Sequence, residues 1–84
     1  MNLSELETRL RKEGFDAGFY SLRGTRPPKD GFSLRRVPEG WQVIWFERGE
    51  ENLAAELMSE QDACDFFYRR MISLFAVPPK GAAN

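Results

Sequence analysis

Glu47, Glu50 and Glu51 lie close enough along the chain to act as paired carboxylates, the arrangement that general acid–base chemistry uses. Three acids around Arg48-Gly49 are also the ordinary composition of a solvated hairpin turn, and that is the reading preferred here. The chain has no histidine, which removes the commonest general base and every Ser-His or Cys-His nucleophile. Its single cysteine, Cys64, leaves no thiolate zinc site and reads as a small core residue next to Ala63. Arg23-Gly24-Thr25-Arg26 runs into Pro27-Pro28 instead of a helix, the wrong context for a phosphate loop. The expectation is therefore a protein that is not an enzyme, with no metal and no cofactor.

Binding chemistry is better represented. Trp, Tyr and Arg dominate interface hot spots, and Trp41, Trp45 and Tyr20 stand near a loop that carries Arg23 and Arg26. The charge is also segregated along the chain. Arg23, Arg26, Lys29, Arg35 and Arg36 face one acid, Asp30, whereas the stretch from Glu39 to Asp65 carries eight acids against Arg48 alone. Polarised surfaces steer and select partners. Basic groups beside aromatics also stack nucleobases, so a small nucleic-acid or regulatory adaptor is the alternative; the net charge of −1 disfavours it.

The elements that must position these groups follow from periodicity. At 84 residues the chain has room for one core, and 42% hydrophobic residues suffice to fill it. The domain is expected over 1–77, with 78–84 as a flexible tail. A lone cysteine points to a reducing, cytoplasmic setting, and neither a transmembrane span nor a basic signal region is present.

Leu3, Leu6 and Leu10 form a helical stripe, Asn2 and Glu5 have capping-box spacing, and Gly14 suits the end of a helix over about Leu3 to Glu13. Phe15 to Leu22 alternates as a strand, and Arg23 to Gly31 is a loop around Pro27-Pro28. A second strand to Val37 turns at Pro38-Glu39-Gly40 into Gly40 to Gly49, which is apolar at both parities. Two assignments of that central strand stay open: either Trp41, Val43 and Trp45 or Ile44 and Phe46 face away from the helices. Residues 52–58 are good helix formers and read either as a fourth strand or as the start of one helix to Phe75. Ser59 with Asp62 marks a helix start and favours the strand. The expected fold is α+β, in the order α-β-β-β-β-α: a four-stranded antiparallel meander with both helices on one face. An aromatic face left uncovered would also allow a homodimer.

Phe19-Tyr20-Ser21-Leu22, then Gly40-Trp41-Gln42-Val43, Glu47-Arg48-Gly49 and Ser59-Glu60 with Ala63-Cys64 together resemble a group of small bacterial immunity proteins. These are similar to the partners encoded beside polymorphic toxins delivered by contact or type VI secretion, in particular NAD-glycohydrolase toxins. Ile44 and Trp45 depart from the group, which tends to carry tyrosines in the central strand. The resemblance implies a non-catalytic inhibitor that occludes the active site of a cognate toxin made by the neighbouring gene. If so, Arg23, Arg26, Lys29, Trp45, Glu47, Arg48, Glu50 and Glu51 are the expected toxin-binding residues.

Overall fold

A computed structural model describes residues 1–23 and 27–75, without the side chains of Leu74 and Phe75. The proposed tail 78–84 and Arg26 lie outside the described residues.

Helix α1, Leu3–Lys12, begins at the expected capping box: the Glu5 amide donates to the Asn2 side chain at 2.8 Å and the Asn2 amide to Glu5 at 2.9 Å. Its leucine stripe places Leu6 and Leu10 fully inside. Helix α2, Glu60–Phe75, is preceded by Ser59, whose hydroxyl accepts the Asp62 amide at 3.0 Å. Ala63, Phe67 and Met71 recur four residues apart along α2 and are all buried. The two helices are tied at the start and end of α1. The Leu3 amide donates to Glu60 at 2.8 Å, and the Tyr68 hydroxyl lies 2.7 Å from both carboxylate oxygens of Glu13.

The sheet has the order β1-β2-β3-β4, with β1 at Tyr20–Ser21, β2 at Gly31–Val37, β3 at Gly40–Glu47 and β4 at Glu50–Leu57. The chain is thus α+β, and β2, β3 and β4 form the expected antiparallel meander. The first strand differs. Most of Phe15 to Leu22 is not strand: the Asp16 side chain accepts the Gly18 amide at 2.8 Å and forms a single 3-10 turn, Ala17–Phe19, a local bond that competes with sheet pairing. What remains of β1 pairs with β2 in parallel, Tyr20 with Phe32 and Ser21 with Ser33, where an antiparallel pair was expected. Gly31 permits that geometry. It sits at φ +141°, and a Cβ there would lie 2.1 Å from the Phe19 carbonyl oxygen.

Register settles which face meets the helices. Phe32 pairs with Trp45, Leu34 with Val43 and Arg36 with Trp41, so these six share one face, and Phe32, Leu34 and Val43 join the core with Leu6, Leu10, Phe67 and Met71. The two tryptophans pack half-buried at its margins. Ile44 and Phe46 point the other way, yet their exposures are only 1% and 6%. Arg35 lies opposite Gln42 and Glu51 opposite Phe46, so the 3.1 Å Arg35–Glu51 ion pair runs diagonally across β3 over Ile44, linking two strands that are not neighbours.

β4 is a strand in spite of Leu53-Ala54-Ala55, because pairing with β3 along its length overrides a weak helical preference. A register shift between Val43 and Ile44 introduces a bulge opposite Ala54. No helix among the described residues is long and apolar enough to cross a membrane.

Candidate functional site

The β3–β4 hairpin closes in two residues, Arg48 and Gly49, with Glu47 paired to Glu50. Both turn residues have positive φ, 54° and 83°, the signature of a type I′ turn that matches the right-handed twist of its strands. Asn-Gly is the favoured pair there; a left-handed conformation costs an ordinary L-residue roughly 1–2 kcal/mol. Arg48 is the one non-glycine residue with positive φ among the described residues.

The chain holds this turn in place from outside. The Arg48 amide donates to Asp30 Oδ1 at 2.9 Å, and the Gly49 amide donates to the Lys29 carbonyl oxygen, also at 2.9 Å. Asp30 leads straight into Gly31, which pairs with Phe46, so the loop end and the hairpin tip form one fixed corner. Lys29, Glu47, Arg48 and Glu50 are exposed on it, and none of them takes part in an ion pair among the described residues. Glu47 directly opposes Glu50, a like-charge pair that works against the hairpin. The corner thus carries two features that folding does not need: a strained arginine and facing carboxylates.

Of the eight residues anticipated from sequence, the structure brings Lys29, Glu47, Arg48 and Glu50 together. Glu51 adjoins them but points to the outer face, where it binds Arg35. Arg23 lies elsewhere, 3.2 Å from Glu7 on α1. Trp45 faces the helices, its ring 4.8 Å from that of Phe32, and packs against the core. Asp30 was not anticipated as a site residue. Its signal was present in the sequence: it is the lone acid of the basic stretch, next to the start of a strand.

The chemistry this corner presents to solvent is two cations, Lys29 and Arg48, beside two carboxylates, Glu47 and Glu50, groups able to make charge-assisted hydrogen bonds. Burial pushes the Cys64 thiol up to about 11, with Glu60 adding to the shift, so it has little thiolate character. Among the described residues there is no cluster of three or more possible metal ligands. The chain matches no protein-family model, no curated protein and no solved structure at significant similarity.

Proposed function

We propose that this protein is a non-catalytic inhibitor of the immunity type, which binds a cognate toxin from the neighbouring gene and occludes its active site. An NAD-degrading enzyme is the favoured target. The observation that carries the reading is Arg48: an exposed guanidinium on a backbone held at φ 54°, fixed by Asp30 and Lys29, where asparagine or glycine would fold with less strain. Residues kept in unfavourable conformations cluster at sites where geometry serves binding. A rigid projection with Lys29, Glu47, Arg48 and Glu50 enters a concave, charged pocket with little ordering entropy left to lose.

The adaptor alternative has less support. Among the described residues of the basic stretch, Arg23 and Arg35 are engaged by Glu7 and Glu51 and the Arg36 guanidinium lies 5.6 Å from the centre of the Trp41 ring, which leaves Lys29 outside any ion pair there. Co-purification with the product of the neighbouring gene, followed by an assay of NAD loss, tests the proposal. A stable complex that stops NAD consumption supports it. Absence of both a complex and suppression refutes it.

A further inference from the structure

At the far end of β4 from the hairpin tip, a groove of about 700 Å³ opens where β3 begins and β4 ends. Val37, Pro38, Trp41, Leu57 and Met58 supply its apolar lining, and Met58 is 86% exposed. The carboxylates of Glu39 and Glu56 stand at the same groove. β4 itself is the last strand of the sheet, and among the described residues no strand pairs with its outer row of backbone N–H and C=O groups.

From this juxtaposition we infer that the 54–57 end of β4, with Met58 just beyond it and the adjoining groove, forms a second docking site, whose occupant is an extended, basic peptide segment carrying an apolar anchor. Main-chain pairing along β4 holds the segment, the anchor enters between Trp41 and Met58, and lysine or arginine beside it meets Glu56 and Glu39. Methionine and tryptophan suit such a pocket, one by adaptable packing and the other by contact area. The acids also select against a second copy of this chain. Antiparallel self-pairing centred on β4 sets Glu51 opposite Glu56, and pairing centred on Glu56 sets that residue opposite itself. None of this depends on the partner being a toxin.

The test is amide NMR of the whole chain titrated with two synthetic octapeptides, one alternating lysine with valine around a central phenylalanine and one with glutamate in place of lysine. The basic peptide is expected to shift the amides of 54–58 and the Trp41 indole N–H, whereas the acidic one leaves them unmoved. Glu56→Lys should weaken binding about tenfold at low salt. Met58→Ala, at a site too exposed to affect folding, should weaken it about fivefold. The inference is overturned if neither peptide binds, if both bind equally, or if the shifts fall outside 54–58 and the groove. Shifts of the same amides with protein concentration alone would make the occupant a second copy and overturn it as well.

Discussion

Replacing Arg48 by asparagine separates what this side chain does for folding from what it does for binding. Asparagine tolerates the left-handed conformation that Arg48 holds at φ 54°, and it keeps the backbone amide that donates to Asp30. Relief of part of a roughly 1–2 kcal/mol conformational cost should therefore stabilise the fold by about 0.5–1 kcal/mol. For a domain of this size 1 kcal/mol corresponds to about 4–8 °C in melting temperature. Partner affinity moves the other way. A guanidinium making charge-assisted hydrogen bonds contributes about 1.5–3 kcal/mol, so its removal should weaken the complex roughly 10- to 150-fold. Urea unfolding gives the first number and calorimetric titration of the partner the second. Arg48→Lys is the control: it retains charge and backbone strain, so stability should stay unchanged while affinity falls less. A variant Arg48→Asn that is less stable yet binds within about twofold of the parent would show that the arginine serves the fold, and the argument from strain would fail.

Other substitutions report on the frame. Trp45→Ala removes a ring packed against Phe32 and should cost about 3 kcal/mol in urea unfolding, whereas Trp45→Phe should cost much less. Cys64 should resist a thiol reagent in the native protein at about pH 8 and react once urea unfolds the chain, because burial holds the thiol protonated. The hydrogen bond from Tyr68 holds the Glu13 carboxyl below its ordinary range. A depressed carboxylate contributes stability above its unfolded pKa and loses it as pH falls through the folded one. Tyr68→Phe should therefore flatten the acid limb of a stability–pH profile measured by urea unfolding.

What was legible in the sequence was local. The Asn2–Glu5 box, the Ser59 cap and the Pro38-Glu39 turn are each decided within a few residues, and the structure contains all three. The parity of β3 was not legible, because Trp41-Val43-Trp45 and Ile44-Phe46 are both apolar and only the helices choose between them. The parallel β1 was hidden by Asp16, whose short side chain closes a turn in a stretch that alternates like a strand. Glu51 looked like part of the turn, but its role depends on Arg35, two strands away in space, and pairwise register across β3 is needed to see it. Arg23 and Trp45 likewise find their partners, Glu7 and Phe32, through tertiary packing. The residue types at the corner were visible in sequence; the left-handed backbone of Arg48 and its Asp30 clip were not, since both follow from a two-residue turn whose ends register alone fixes.

The most direct measurement of the contact surface is amide hydrogen exchange on the chain with and without the product of the neighbouring gene. Slowed exchange over 27–30 and 47–51, with α1 unchanged, is the result predicted from the clipped corner. Protection confined to the α1 and α2 surface, with the hairpin tip exchanging as in the free chain, would contradict it.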